Sequence, residues 1–525
     1  MESMGSDQPP SQDEILRILK PSPTDPLKIY LSSFCSKDGL SYGLIRTLEG
    51  KKLVVLGERR RVCSDDFKGV CHHHTLSLKV CDLSPENTEV LMALFPYTKP
   101  VSLRKCPMTI GTGDSLGVAT PGHLRAIKKF QVHPVLAQQS SRENQYTGRD
   151  FRKVIQDVAW AVFQENYQEG YGADGDHLKS LQEIKNALSA GVSMVTLDLS
   201  EKLNPEAFHH SRESIHQKFK EAIDPGDAEV IFHLFLDKEF ILKGPEGQVS
   251  ICFDKESVER NTLLFYEALD FAEEVDQWIR RQTGNRPLVD FEICMDAMPF
   301  PTSAENHFFL ALELSHRGVH IQSFAPRFIG EFQKGIDTSG DKEAFGRQFY
   351  PHVLIARDYG EYKISIHSGS DKFSVLPDME KLSEGHLHFK TVGTSWLEAL
   401  RLIALRNPLL YREMHRYALS RFQEASKLYQ VSADLTRIPN LEELKDQELP
   451  MLLDQNDSRQ LLHITCGVLL DAKNQAGENL FKNQLSHTLN QYEEEYWSLL
   501  EKHIEKHLNF LGVKKKKDRK GDGKK

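Results

Sequence analysis

Between residues 108 and 405 one pattern recurs. A short apolar run ends in a polar cluster rich in Gly, Asp or His, and a longer amphipathic stretch follows. The apolar runs are Met108–Ile110, Val135–Gln138, the approach to Gly172, Met194–Leu197, Phe291–Met295, Val319–Phe324, Lys363–His367 and Leu387–Lys390. Their length and bracketing by turn residues predict buried parallel strands. Helical periodicity fits Arg152–Phe163, Leu181–Leu188, Thr262–Arg280, Phe308–Leu314 and Trp396–Leu405. Eight such units predict an α/β fold, a (β/α)8 TIM-like barrel, with an insertion between the fourth and fifth strands. A doubly wound open sheet is the alternative. No GxGxxG word opens a helix, so a dinucleotide fold lacks its signature.

Around this core the pattern predicts five segments. Residues 1–20 read as disordered. Residues 21–105 read as a small α+β cap, from runs such as Lys52–Leu56 and Leu76–Val80. The barrel spans 106–405. A helical region follows over 406–511, with helices over Leu409–Ala425, Asp457–Ala472 and Leu489–Phe510. Residues 512–525 form a basic, solvated tail.

Composition narrows the function classes. The net charge of -9 argues against a general nucleic-acid binder. Apolar runs such as Val158–Phe163 are far too short to span a membrane. The polar start Met1–Asp13 has no apolar core of a signal peptide, and eight scattered cysteines suit a reducing cytosol. A cytoplasmic enzyme is therefore expected.

Candidate chemistry gathers at the predicted strand ends, where barrels keep their active residues. Period-2 alternation turns Lys363, Ser365 and His367 to one face, His388 and Lys390 to another, and Glu292, Cys294 and Asp296 to a third. Ionisable groups inside a barrel are costly unless used or satisfied. That favours function for Glu292 and His367; His388, deeper in its strand, fits a hydrogen-bonded core histidine equally well. The word Asp174-Gly175-Asp176-His177 reads either as an N-cap for a helix starting near Ser180 or as a metal ligand beside a general base. Glu305 reads as a cap of the following helix, and His307 as either core or site. Arg327 is either a carboxylate fork or an ordinary surface residue. Imidazole and carboxylate from different strand ends suit a divalent cation: Zn, Mn, Ni or Co. Cys63, Cys71, His72, His73, His74 and Cys81 have zinc-like residue types but no standard spacing, so a β-rich cap with a His-rich turn is the better reading. Cys294 reads as an inert buried thiol.

Seven words, in order from Gly111 to Arg401, carry a resemblance: GTGDSLGVATPGHLRA, VLAQQS, GADGDHLK, AENHFFLALEL, APRFIGEFQKGID, IHSGSDKFSV and HFKTVGTSWLEALR. Together they resemble the tagaturonate epimerase family, metal-dependent isomerases of keto-sugar acids. The resemblance implies Asp176 and Glu292 as proton acceptor and donor, and His177, Glu331 and His367 as ligands of a divalent metal. It implies a sugar acid or ketose as small-molecule partner, no nucleic acid or membrane, and leaves a homo-oligomer open. Lys390, Arg327 and Lys372 become candidates for the sugar-acid carboxylate, and Asp114, Gln138 and Gln139 for its hydroxyls. His307, Ser368 and Asp371 complete the substrate-binding set. The inverted carbon is not adjacent to the keto carbon, so simple enolisation cannot invert it. A retro-aldol cleavage and re-addition, with a metal on the keto oxygen and an acid/base pair on the hydroxyl proton, is the expected route. An aldolase or sugar isomerase using the same site, and a non-catalytic sugar-binding relative, are the alternatives.

Overall fold

The structure, a computed structural model, describes residues 27–517 except 74–76, 285, 287, 297, 330–332, 339–340, 392 and 430. The segment expected to be disordered, 1–20, and the proposed ligand Glu331 lie outside the described residues. The chain divides into two compact units: residues 1–100 with 153–170, and 101–152 with 171–525.

The first unit carries an antiparallel sheet of β1 (Lys28–Lys37), β2 (Leu40–Thr47), β3 (Gly50–Gly57), β4 (Gly69–His73) and β5 (Ser77–Asp82), in the order β1-β2-β3-β5-β4. Phe34, Ile45, Val54, Leu56 and Leu78 alternate onto its buried face. The helix Phe151–Gln164 contributes Phe163, whose ring lies 5.2 Å from Phe95, and Trp160, whose Nε1 donates to Thr88 Oγ1 at 2.8 Å. Cys71 and His72 lie on β4 and Cys81 on β5. Among the described residues, no metal-capable grouping includes them.

The second unit is the barrel. Its strands are β6 (Met108–Gly111), β7 (His133–Ser140), β8 (Gly172–Leu178), β9 (Met194–Asp198), β12 (Asp290–Cys294), β13 (Ser323–Ala325), β14 (Lys363–Ile366) and β15 (Leu387–Lys390), all parallel and closed by β15 on β6. The eight expected strands are present because each is buried on both faces; every residue of β9, β12, β14 and β15 is buried. The sixth is shorter than expected. Only Ser323, Phe324 and Ala325 pair with β12, and Pro326, which lacks an N–H, follows. The third is longer, running through Asp174–His177 rather than stopping before it. The insertion after β9 holds the helices Arg212–Ala222 and Pro225–Phe235 and the hairpin β10 (Glu239–Gly244) and β11 (Gly247–Cys252). It ends in the long helix Lys255–Thr283, which Asp254 caps.

C-terminal to the barrel, the expected helices appear as Pro408–Ala425, Asn456–Ile464 with Cys466–Leu470, and Lys482–Gln491 with Glu493–Phe510. The tail begins later than expected: Gln131 N donates to Lys514 O and Lys516 N to Lys129 O, both at 2.8 Å. No helix among the described residues is long and apolar enough to cross a membrane.

Candidate active site

The loop ends of β8, β12, β14 and β15 bring five of the expected residues together. Lys390 Nζ, at the end of β15, sits 2.7 Å from Asp176 Oδ1 and 2.8 Å from Glu292 Oε1, and donates to Thr196 Oγ1 at 3.0 Å. Asp176 Oδ2 lies 2.9 Å from His177 Nδ1, and Glu292 Oε1 lies 2.8 Å from His367 Nε2. A carboxylate only accepts, so each contact fixes an imidazole N–H toward it and aims the other ring nitrogen at the cavity floor. Those two nitrogens converge. His177 Nε2 is 3.5 Å from Asp296 Oδ1, and His367 Nδ1 is 3.1 Å from Asp296 Oδ2. Cys294 Sγ is 3.7 Å and 3.5 Å from the same two nitrogens.

The backbone supports this convergence at a local cost. Strand β8 is irregular in its pairing with both neighbours, and His177 there has φ of 51°. Ser368, directly after His367, has φ of 52°. Bulges and left-handed non-glycine residues re-aim side chains and concentrate at functional sites. The cap alternative for this cluster does not hold: Ser180 itself caps the helix Leu181–Ala190, in a capping box with Glu183.

Electrostatics follow from the contacts. Burial would raise the pKa of Glu292, but Lys390 and then His367 hold it well below the carboxylate range. Burial likewise opposes ionisation of Asp176, where His177 and then Lys390 prevail, and of Asp296, where His367 and His177 do. For Asp174 burial prevails and raises it. Burial works against charge on His177, yet Asp176, Cys294 and Asp296 hold it well above its usual value. Burial and Lys390 both work against charge on His367, yet Cys294 and Asp296 raise it in the same way.

A cavity of about 450 Å³ opens over this floor, within the size range of small-molecule sites. Asp176, His177, Asp296, His367, Ser368 and Lys390 line it; Glu292, beneath them, does not. Residues the sequence did not single out complete the wall: Arg142, Glu143 and Tyr146 after β7, Lys334 after β13, and Tyr429, His463 and Cys466 from the C-terminal helical region. Gly393 (φ 96°) lets the last barrel loop meet His463, whose Nε2 would lie 2.6 Å from any Cβ there.

The remaining expected substrate contacts are engaged elsewhere. Asp114 accepts from the backbone N–H of Val118, Ala119 and Thr120, so it organises its own glycine-rich loop. Gln138 donates to Asp174 inside the barrel and meets His388, while Gln139 accepts from Arg149. His307 stacks on Phe324 and bonds His352 and Tyr362. Arg327 donates to the Met298 carbonyl, and Lys372 to the carbonyls of Gln333 and Ile336. Asp371 pairs with Arg459 at 2.5 Å. Lys390 is in the site, but two carboxylates already meet its charge. His388 is a core histidine, bonded to Thr109 at 2.9 Å and pushed down to about 3 by burial.

Comparison with known proteins agrees with this architecture. A family model described as tagaturonate epimerase matches residues 30–511. The chain is 40% identical over 500 residues to a tagaturonate/fructuronate epimerase of Thermotoga maritima, covering 95% of this chain and 99% of that one. Two crystal structures of the fructuronate-tagaturonate epimerase of Cohnella laeviribosi, each 43% identical, superpose over 96% of this chain and 99% of theirs. The glycerol complex gives a TM-score of 0.88 and the native form 0.87. The chain belongs to the tagaturonate epimerase family, and is thereby an enzyme of the isomerase class.

Proposed function

We propose that this chain interconverts D-tagaturonate and D-fructuronate, keto-hexuronates that differ at one carbinol carbon. The observation that carries the reading is the convergence of two carboxylate–imidazole arms, Asp176–His177 and Glu292–His367, on Asp296 and Cys294 at the floor of the cavity. The relatives named for this reaction support the choice of substrate.

The donor set fits a divalent cation. Ligand atoms of His177, Cys294, Asp296 and His367 all lie within 4.8 Å of one another, and both imidazoles are oriented from behind by carboxylates. His177, His367 and Asp296 would hold the cation with Cys294 beside them; Zn, Mn, Ni or Co would suit, and the thiol favours zinc. Such an ion supplies Lewis-acid polarisation of the keto group.

The chain's own residues account for the proton and the charge. Asp176, ionised and facing the cavity, takes the proton of the hydroxyl on the carbon to be inverted. The bond between that carbon and its neighbour next to the keto group then breaks, giving an aldehyde and an enolate. After rotation of the aldehyde, the enolate carbon adds to its other face, and the proton returns to oxygen. Lys390 balances the charge on Asp176 before the proton is taken and after it is returned. Glu292, beneath the cavity, holds Lys390 and His367 in place; its position favours this route over direct reprotonation of carbon by Glu292.

Incubation with D-tagaturonate in heavy water tests the reading. Fructuronate should form without deuterium at the inverted carbon. Deuterium there overturns the retro-aldol route, and accumulating cleavage fragments or the absence of fructuronate overturns the epimerase.

A further inference from the structure

We infer that Lys334, assisted by Arg142, receives the carboxylate of the sugar acid and makes the site selective for it over a neutral ketose. The inference rests on the keto-hexuronate reading and adds the residues that recognise the acid.

The argument is one of charge matching. Among the described residues, the lysines and arginines lining the cavity are Arg142, Lys179, Lys334 and Lys390. Lys390 is matched by Asp176 and Glu292. Lys179 lies 2.9 Å from Glu201 and 3.7 Å from Asp198. Lys334 and Arg142 form no ion pair among the described residues. Lys334 Nζ donates to Ser368 Oγ at 2.7 Å, which anchors the ammonium at the loop after β14 and leaves two of its three donors without a partner among the described residues. Arg142 lies at the exposed rim. Its guanidinium sits over the rings of Tyr146 and Tyr429, 5.7 Å and 5.5 Å from their centroids, and its Nε donates to Tyr146 Oη at 3.2 Å. The planar group is thereby held by its faces, and the paired terminal nitrogens that grip a carboxylate have no partner among the described residues. Glu143, on the same cavity wall and within electrostatic reach of Lys334, is engaged by its own helix, accepting from Ser140 N at 3.1 Å in a capping box.

A keto-hexuronate with its keto group over His177 and His367 carries its carboxylate at the other end of the chain. An uncharged ketose would leave Lys334 and Arg142 unmatched, and unmatched site charge is what gives large discrimination between otherwise similar ligands.

The test compares D-tagaturonate with D-tagatose, in which CH2OH replaces the carboxylate, using wild type, Lys334→Gln, Lys334→Arg and Arg142→Gln. Lys334→Gln should lower kcat/KM for the acid about 10- to 100-fold through KM, and leave that for the neutral sugar unchanged. Lys334→Arg should restore most of the preference. Arg142→Gln, being solvent-exposed, should cost less, about 3- to 10-fold. A Lys334→Gln enzyme that keeps the wild-type preference for the acid overturns the inference. So does one that loses both sugars equally, since that is a loss of loop structure. Should the wild type not epimerise tagaturonate, the proposed function falls separately. Calorimetric binding of the two sugars then decides the subsite: tighter binding of the acid that Lys334→Gln abolishes supports it, and equal affinities overturn it.

Discussion

Two clusters in this chain offer the same ingredients, imidazoles and a carboxylate close enough to share a metal ion: His177, His367 and Asp296 with Cys294, and His503 and His507 with Asp371. They differ in what faces the ring nitrogens. In the first, each imidazole donates one N–H to a carboxylate behind it and turns the other nitrogen toward acceptors only. In the second, everything is spoken for. His507 Nδ1 donates to the His503 carbonyl while its Nε2 accepts from Asp371 N, both at 2.9 Å. Arg459 lies 2.5 Å from the Asp371 carboxylate, and His503 Nε2 meets Thr394 Oγ1 at 2.7 Å. Burial pushes both imidazoles of the second cluster below their usual pKa, whereas both of the first are raised. Residue types thus do not distinguish the two clusters; the partners of the ring nitrogens do, carboxylates in the first and mostly neutral groups in the second.

Changing one atom under the first cluster should have the largest effect. Glu292→Gln keeps the shape but removes the charge that orients Lys390 and His367, so turnover should fall about 10²- to 10⁴-fold in a protein with a native circular dichroism spectrum. Near-normal kcat in that variant removes Glu292 from the account.

The second cluster should answer in stability instead. Asp371→Asn leaves Arg459 buried without its partner and should cost about 3–5 kcal/mol in denaturant unfolding. Metal content should stay at the wild-type level; a lost equivalent of metal would turn the comparison around.

Acid titration sharpens the same contrast. Burial opposes ionisation of Asp371, but His503, Arg459 and His507 hold its pKa down to about 2. A depressed carboxylate stabilises above its unfolded pKa, about 3.9, and this contribution is lost as pH falls toward the folded value. Unfolding free energies of wild type and Asp371→Asn should therefore draw together by about 2 kcal/mol between pH 5 and pH 2; a constant gap contradicts the assignment.

The smallest effect is expected at Asp114. Its carboxylate organises backbone N–H groups, so Asp114→Asn should cost about 1 kcal/mol of stability and leave KM for the sugar acid unchanged. A raised KM would return Asp114 to the substrate site.

The barrel was legible in the sequence because strands buried on both faces must be short apolar runs; Ile364 with Ile366 and Leu387 with Phe389 mark such strands. His177 and His367 were legible as well, standing where the predicted strands end. Asp296 shares the period-2 face of Glu292 and Cys294, so its placement was readable, though nothing marked it as the point where both imidazoles meet. Lys390 was assigned to the substrate because its neutralising partners, Asp176 and Glu292, stand far away in sequence. Asp114 and His307 illustrate the converse, polar residues in conspicuous words whose bonds are local or internal. Arg142 and the wall from Tyr429 to Cys466 carry no motif, and Lys334 stands inside the word APRFIGEFQKGID without being marked there as facing the cavity, since sequence pattern does not reveal which face meets a cavity floor distant in the chain.

The central claim is that the first cluster is a metal-assisted epimerisation site. Its most direct test is the rate of fructuronate formation from D-tagaturonate by chelator-stripped protein, before and after one equivalent of Zn, Mn, Ni or Co is returned, with His367→Ala alongside. The account predicts loss on stripping, recovery with at least one of these ions, and no recovery in His367→Ala. Full activity in protein shown by elemental analysis to be metal-free would contradict it.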